Sequence, residues 1–268
     1  MSTDATAVSP IDCDILAEAV AAGASGLGGN DAAFFRRVWA TDLDIYRRRL
    51  NAIDFRAFDR VLDAGCGVGQ WTFCLAHIAA EVCAVDYNHD RVEAARTVLQ
   101  KLGQHNVSLS AQSVEAIGYP DAHFDAIFCY SVLPLTNYRK TLSEYARLLR
   151  PGGKLYACSN GLGWYLFKFI TNHNASPHYR PRRNSAMSVL YKLRHVLTGR
   201  FTPGHNRELM ISSRTVKRFL QKHGFDDVLI GGEGTLNLND ADTPPRSFYR
   251  SAYLGMECVY EVLATKSH

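Results

Sequence analysis

Residues 61–71 read Val-Leu-Asp-Ala-Gly-Cys-Gly-Val-Gly-Gln-Trp. A short apolar run ends in an acid, Asp63, and the glycines that follow lead into a helical pattern. Gly65, Gly67 and Gly69 let the backbone turn sharply and let a ligand come close to the main chain. In open α/β sheets, a loop of this kind lies at the carboxyl end of the first strand, where ligands bind.

The glycine spacing argues against a dinucleotide. The dinucleotide pattern is Gly-x-Gly-x-x-Gly, which places a pyrophosphate on a helix amino terminus, whereas the third glycine here comes one residue early. A carboxylate at Asp63 repels a pyrophosphate and suits a ligand that carries a cationic amino group. A dehydrogenase is therefore the least favoured enzyme class. The alternative is that the glycine run is only a tight turn.

Strand and helix patterns alternate from residue 60 onward. This alternation predicts a parallel sheet with helices on both faces. We expect the first five strands at 60–64, 81–86, 107–111, 125–130 and 154–159, and helices between them at about 69–80, 89–102 and 138–149.

The two ends of the chain differ from this central region. Residues 1–57 are interpreted as a loosely ordered tail followed by amphipathic helices that flank the active site. Residues 58–268 are interpreted as the main domain, with an insertion at about 160–211 between the fifth strand and the final helix. The remaining expected elements are helices at 12–22, 31–51 (one or two), 185–198 and 212–223, and strands near 226–231 and 253–264.

The second strand pattern ends at Asp86. An acid at this position can accept hydrogen bonds from both hydroxyls of a ribose. The alternative role is a helix cap, but Asn88 is a better cap for the helix that follows. We therefore predict that Asp86 binds a ribose.

Four ordered motifs resemble those of the class I S-adenosylmethionine-dependent methyltransferase family. Residues 61–71 resemble its first motif, and Asp86 matches the acid at the end of its second strand. Residues 111–125 resemble the stretch Gly-Asp-Ala-Glu-x-Leu-Pro-Phe-x-Asp-x-x-Phe-Asp, and Leu-Leu-Arg-Pro-Gly-Gly-Lys-Leu at 148–155 matches the turn into strand five. The resemblance implies a three-layer, Rossmann-like sheet of seven strands, mostly parallel, whose last strand is antiparallel.

The resemblance also implies the residues that hold S-adenosylmethionine. It assigns the methionine end to Asp63, Gly65 and Gly67, the ribose to Asp86 with Tyr87 beside it, the adenine to Ser113 and Val114, and the sulfonium to the surroundings of Tyr130. Ser113 departs from the family pattern, which often has an aspartate there. A serine hydroxyl is a neutral acceptor for the adenine amino group, so the departure concerns adenine affinity or orientation.

Methyl transfer from a sulfonium is an in-line displacement in which positioning supplies much of the catalysis. An alcohol acceptor also needs a base, and the candidates are His205, then Tyr138 and His178. The stretch 130–135 has no Asn-Pro-Pro-Tyr or Asp-Pro-Pro-Tyr signature, which is often found in methyltransferases acting on base or amide nitrogen. Its absence favours a small-molecule acceptor, with oxygen as the favoured methylated atom.

The late insertion is strongly basic. Between Lys168 and Arg218 there are eleven lysines and arginines and a single acid, Glu208. A basic segment beside an active site attracts an anionic small acceptor. A solvated surface remains the alternative, as does nucleic acid or a membrane surface, because Tyr179, Tyr191 and Phe201 lie among the charges.

Composition and cysteine content limit the class of protein and its compartment. Apolar residues make up 47% of the chain and charged residues 21%, which is typical of a globular protein. The sequence has neither a signal-peptide pattern nor a run long enough to span a bilayer. The seven cysteines are odd in number and scattered, which favours a reducing, cytoplasmic compartment and no metal site. The rival functions are a non-catalytic scaffold or partner subunit with the cofactor fold, and an RNA methyltransferase.

Overall fold

The computed structural model describes residues 12–176, 179–200, 208–239 and 245–268. The strands are β1 (Phe58–Ala64), β2 (Ala79–Asp86), β3 (Val107–Ala111), β4 (Phe124–Tyr130), β5 (Leu149–Asn160), β6 (Phe225–Gly232), β7 (Ala252–Tyr253), β8 (Met256–Glu257) and β9 (Val259–Lys266). The helices are α1 (Cys13–Ala24), α2 (Gly29–Trp39), α3 (Leu43–Ala52), α4 (Gln70–Ala76), α5 (His89–Lys101), α6 (Tyr138–Leu148), α7 (Leu162–Thr171), α8 (Pro181–Thr198) and α9 (Ser213–Lys222).

Seven of these strands form one sheet in the order β3-β2-β1-β4-β5-β9-β6. The pairs among β1 to β5 are parallel, and β9 runs antiparallel to both β5 and β6. The predicted α/β fold with an antiparallel last strand is therefore confirmed. The central strand β4 is buried along almost its whole length. Its sequence is mostly apolar, as is typical of a parallel strand covered on both faces.

Two hydrophobic cores lie on opposite faces of this sheet. One contains apolar side chains of α1 to α5, and the other those of α6 and α9. Phe128 of β4 belongs to the first core and its neighbour Ile127 to the second, since successive side chains of a strand point to opposite faces. The molecule is thus built in three layers, as the resemblance implies.

Local signals set the helix ends. The Asn88 side chain, the predicted cap, accepts a hydrogen bond from the Arg91 N–H at 3.2 Å and caps α5. The Ser212 hydroxyl accepts one from the Thr215 N–H at 3.3 Å and caps α9. Gly103, with φ of 71°, follows the C-cap residue Leu102 of α5.

Several expected elements differ from the structure. Helix α4 ends at Ala76 rather than near 80, because β2 already begins at Ala79. The expected last strand at 253–264 is interrupted, because Gly255 has φ of 73°. The chain therefore forms the small β7–β8 hairpin before it enters β9.

One helix in the insertion was not predicted. Helix α7 is short and apolar almost throughout, and such a run cannot be told from a buried strand by its composition. The helix predicted at 12–22 is present as α1, and it is packed: Ala19 and Ala24 are buried, and Gly23 lies against Phe35 and Val98 so closely that a side chain there would collide with both.

The N-terminal helices are joined to the sheet by a buried ionic network around Arg49 of α3. Its guanidinium donates from Nη1 to the Glu233 carboxylate and to the Tyr130 phenol oxygen, the latter at 3.3 Å. From Nη2 it donates to the Tyr156 phenol oxygen at 3.2 Å and to Glu261 at 3.4 Å. Arg49, Glu233 and Glu261 are all almost fully buried.

The two carboxylates of this network also hold two short backbone segments that follow β6. Glu233 accepts hydrogen bonds from the backbone N–H groups of Phe248 and Tyr249 at 2.8 and 3.1 Å. Glu261 accepts from both N–H groups of residues 235–236 at 2.9 and 2.7 Å. One arginine and two glutamates therefore connect α3, the sheet and the backbone of residues 235–236 and 248–249.

We predict that Arg49→Leu lowers the free energy of unfolding by about 3–5 kcal/mol, because it leaves buried carboxylates without their cation. The matched control is Arg48→Leu on the same helix, whose partner Asp44 is, like Arg48 itself, more than two-fifths exposed. That exposed pair is worth at most about 1 kcal/mol. Urea unfolding followed by circular dichroism measures both, and equal small losses would contradict the structural importance of Arg49.

Candidate cofactor-binding site

The residues predicted to bind the cofactor lie at the carboxyl ends of four neighbouring parallel strands. The glycine loop follows β1, Asp86 ends β2, residues 113–114 follow β3, and Tyr130 ends β4. Carboxyl ends of parallel strands share one edge of the sheet, which is where open α/β sheets bind ligands. The topology thus brings these residues to one edge.

The three loop glycines have positive φ angles of 85°, 54° and 89° at Gly65, Gly67 and Gly69. A side chain at Gly65 would collide with Val132, and one at Gly69 would lie 2.9 Å from the Ala95 Cβ. At Gly67 it would meet no atom within 4 Å. Gly65 and Gly69 are therefore needed for packing, whereas Gly67 borders open space that a ligand can enter.

The glycine loop is held in place by both the sheet and α2. The N–H groups of Gly65 and Cys66 donate to the Val85 carbonyl at 2.7 and 2.9 Å. The Trp39 indole N–H donates to the Val68 carbonyl at 3.0 Å. An N-terminal helix thus contacts the loop directly.

The Asp86 carboxylate joins this loop to the start of α5. Its Oδ2 accepts from the Gly67 N–H and its Oδ1 from the Asn88 N–H, both at 2.9 Å. Burial raises the pKa of Asp86, while these two N–H groups act in the opposite direction. Each carboxylate oxygen can accept more than one hydrogen bond, so the arrangement fits two ribose hydroxyls.

Asp63 lies in a different environment. It is buried, and its Oδ2 accepts a hydrogen bond from the Thr72 hydroxyl of α4 at 2.6 Å. Burial raises its pKa to about 7. The carboxyl group therefore connects β1 to α4, and its role toward the methionine end of the cofactor stays a prediction.

Two polar atoms beside the glycine loop were not predicted as site atoms. Gln70 Oε1 and Trp71 Nε1 are buried and have no hydrogen-bond partner among the residues that the structure describes. A buried polar atom without a partner is costly, and these two lie in the first turn of α4, directly after Gly69. An amide oxygen and an indole N–H fit an ammonium and a carboxylate, the two charged groups of an amino acid. In the sequence, only their position directly after the glycine motif indicated that these two residues belong to the site.

The residues predicted for the adenine differ in exposure. Val114 is buried, whereas Ser113 is exposed and its hydroxyl oxygen accepts from the Glu115 N–H at 3.2 Å. Tyr87, beside Asp86, is 71% exposed. An exposed aromatic ring and an apolar contact at one sheet edge suit a flat base.

Tyr130 connects the carboxyl edge of the sheet to the ionic network around Arg49. Its phenol donates to Glu233 at 2.6 Å, and its ring lies 5.1 Å from that of Trp71. Burial raises the pKa of Tyr130 well above its usual range, so the phenol is a hydrogen-bond donor at neutral pH. Ser131, which follows it, has φ of 61°, and the chain turns sharply there.

Of the three predicted catalytic residues, the structure describes Tyr138. It is buried at the start of α6, and its ring centroid lies 6.0 Å from that of Phe219 and 6.4 Å from that of His195. Its phenol oxygen accepts from Arg139 Nε at 3.2 Å. His178 and His205 lie outside the described residues.

The basic residues of the insertion occupy different environments. Lys168 is buried and forms an ion pair with Glu208 at 3.2 Å, whereas Arg182, Arg183 and Arg194 are exposed on α8. In the described ranges, no three histidine, cysteine or acidic side chains are grouped to hold a metal ion. Among the helices described, none is both long and apolar enough to cross a membrane.

Comparison with known proteins places residues 61–153 in a family described as a methyltransferase domain. The uncharacterised methyltransferase YcgJ of Bacillus subtilis is 32% identical over 106 residues, which are 39% of this chain and 42% of that protein. The ubiquinone/menaquinone biosynthesis C-methyltransferase UbiE of Shewanella sp. (strain W3-18-1) is 35% identical over 101 residues, or 36% of this chain and 40% of that protein. The chain spans less than half the length of these relatives.

Solved structures extend the likeness to most of the fold. The YcgJ structure matches with a TM-score of 0.53 and 16% identity, and covers 85% of this chain and 100% of that one. Geranyl diphosphate methyltransferase, solved with GPP and sinefungin, gives 0.58 and 13%, over 88% of this chain and 81% of that one. The [4+2]-cyclase SpnF gives 0.55 and 16%, over 84% and 80%.

The sheet order and these matches define the class of the protein, which has the Rossmann-like class I methyltransferase fold. Within this fold, residues 61–153 match the family described as a methyltransferase domain. The resemblance in its motifs is thereby confirmed, together with S-adenosylmethionine as the cofactor of the family.

The raised pKa of Asp63 predicts a stability that depends on pH. The folded chain holds a proton that the unfolded chain releases, so wild type loses stability as pH rises from about 4 to about 7. Asp63→Asn lacks this ionisation and keeps an acceptor for Thr72. The stability of the variant relative to wild type should therefore increase by about 4 kcal/mol across that range. Urea unfolding at both pH values measures this difference, and a pH-independent difference would contradict the assignment.

Proposed function

We propose that the chain transfers a methyl group from S-adenosylmethionine to a small-molecule acceptor. The observation that carries this proposal is the Asp86 carboxylate, which two backbone N–H groups hold at the end of β2 beside the open space at Gly67. When bound, the cofactor supplies a methyl group already activated for displacement. The chain's own task is then to hold and align the two reactants.

Each part of the cofactor has a proposed partner at this edge. Asp86 accepts hydrogen bonds from the ribose hydroxyls, and the open backbone at Gly67 leaves room for the chain that joins ribose to sulfur. Gln70 Oε1 and Trp71 Nε1 bind the ammonium and carboxylate of the methionine end. Tyr87, Ser113 and Val114 contact the adenine, and Tyr130 lies near the sulfonium.

The acceptor is proposed to be small and anionic. The basic residues between Lys168 and Arg218 support an anion, and a structural neighbour was solved with geranyl diphosphate. Oxygen is the atom that the sequence favours for methylation. The relatives support carbon as well, because UbiE is named as a C-methyltransferase.

One alternative is that this chain uses the fold without transferring a methyl group. The neighbour SpnF, whose fold matches over 84% of this chain, is named as a cyclase. The same fold therefore carries a different reaction. A non-catalytic scaffold belongs to the same group of alternatives, and an RNA methyltransferase is the alternative that the basic segment allows.

We predict that Asp86→Asn weakens binding of S-adenosylmethionine and S-adenosylhomocysteine by at least about tenfold, because a neutral amide accepts the ribose hydroxyls less well than a carboxylate. Titration calorimetry measures both ligands. Asp90→Asn is the control, since Asp90 lies four residues further along, in the first turn of α5, and its side chain is 76% exposed. Equal affinity of a folded Asp86→Asn protein and wild type would refute the ribose assignment.

We also predict that Tyr138→Phe lowers kcat by about 100-fold, the size expected when a general base is lost, with cofactor affinity unchanged. Tyr145→Phe is the control, because it removes the hydroxyl of a buried tyrosine on the same helix. The readout is methylated product by mass spectrometry across a panel of anionic metabolites. Unchanged kcat in the Tyr138 variant would remove it as the base.

A further inference from the structure

Helix α8 turns its apolar side chains toward solvent. Five of them are between 52% and 74% exposed, and together they are named here the α8 apolar surface: Val189, Leu190, Leu193, Val196 and Leu197. Their spacing places them on one side of the helix. Two or more such side chains in one stripe are normally directed into a core.

Most of the buried side chains of α8 are polar. The buried residues are Pro181, Ser185, Ser188 and His195, and within the described part of the chain neither Ser185 Oγ nor His195 Nδ1 has a hydrogen-bond partner. Helix α8 thus exposes apolar side chains and buries mostly polar ones. This is the reverse of what is expected for a helix whose outer side is in water. This orientation indicates that the apolar surface is covered by something other than water.

The apolar surface continues onto the end of α7. Arg182 of α8 donates hydrogen bonds to the carbonyls of Phe169 and Ile170 at 3.1 and 3.4 Å. The side chains of Phe169 and Ile170 are each 47% exposed. Two adjoining helices thus present apolar side chains to the same surroundings.

The charged residues of α8 itself are all of one sign. Arg182, Arg183, Arg194 and Arg200 are exposed on α8 or directly after it. The sequence has no acidic residue between Glu144 and Glu208. The occupant must therefore offer both an apolar phase and negative charge.

We propose that the α8 apolar surface docks on an anionic lipid bilayer, with α8 lying in the plane of the interface. Valine and leucine side chains enter the boundary between headgroups and acyl chains, and the arginines extend to the lipid phosphates. A second copy of this chain is disfavoured, because a two-fold contact through α8 would bring the same arginines together. Nucleic acid would pair with the arginines and leave the apolar stripe uncovered.

The test is co-sedimentation of the full chain with phosphatidylcholine vesicles, with and without phosphatidylglycerol, in the absence of cofactor and acceptor. Binding to the phosphatidylglycerol vesicles is expected. Leu190→Gln/Leu193→Gln should lower the partition coefficient by at least about tenfold, since each leucine contributes on the order of a tenfold change when buried. Because neither cofactor nor acceptor is present, the result is independent of the proposed methyl transfer.

Matched variants separate the apolar contribution to vesicle binding from the contribution of the arginines. Ile15→Gln removes an equally exposed apolar side chain from α1 and should leave binding unchanged. Arg183→Gln/Arg194→Gln should lower binding to the anionic vesicles by about tenfold or more, whereas Lys222→Gln, at the end of α9, should have little effect. These variants change exposed residues, and circular dichroism verifies that each is folded.

Three results would overturn the proposal. The first is no binding of wild type to either vesicle. The second is equal binding of wild type and Leu190→Gln/Leu193→Gln. The third is a wild-type dimer, measured by sedimentation velocity, that the leucine double variant abolishes, because the α8 apolar surface would then be an interface between copies of this chain.

Discussion

The site depends on how the glycine loop is fixed to the end of β2. The Val85 carbonyl accepts two N–H groups of the loop, and the Asp86 carboxylate accepts a third, from Gly67. Because β1 and β2 are adjacent and parallel, the glycine loop after β1 lies beside Asp86 at the end of β2. The backbone N–H of Gly67 in this loop then reaches the Asp86 carboxylate. The loop glycines have positive φ angles, which residues with side chains rarely adopt, so this turn requires glycine. The open space at Gly67 is the consequence that matters for binding.

A second constraint holds the surroundings of the site. Arg49 brings together two glutamates, Glu233 and Glu261, that are 184 and 212 residues away along the chain. Removing charges from water is costly, so such a group is stable only when each partner is hydrogen-bonded. Here the glutamates also accept hydrogen bonds from four backbone N–H groups, those of residues 235–236 and 248–249. These residues and helix α3 are therefore held together on the side of the site where Tyr130 lies.

The sequence was sufficient for the parts governed by local pattern. The glycine spacing, the acid at Asp86 and the Asn88 cap are short-range signals, and each has the expected position in the structure. Helix α7 was missed because a short, almost uniformly apolar segment cannot be told from a buried strand by its composition. Arg49 was missed because its partners are distant in sequence, and a charged residue on an amphipathic helix is usually exposed. The reversed orientation of α8 was equally hidden, since periodicity indicates a stripe but not which way it faces.

We expect the glycine loop and Asp86 to hold an adenosyl ligand at the carboxyl edge of the sheet. A crystal structure of the chain with S-adenosylhomocysteine tests this arrangement. Both ribose hydroxyls should lie within hydrogen-bond distance of the Asp86 carboxylate, with the amino-acid end beside Gln70 and Trp71. A ligand bound elsewhere, or a ribose that does not touch Asp86, would contradict it.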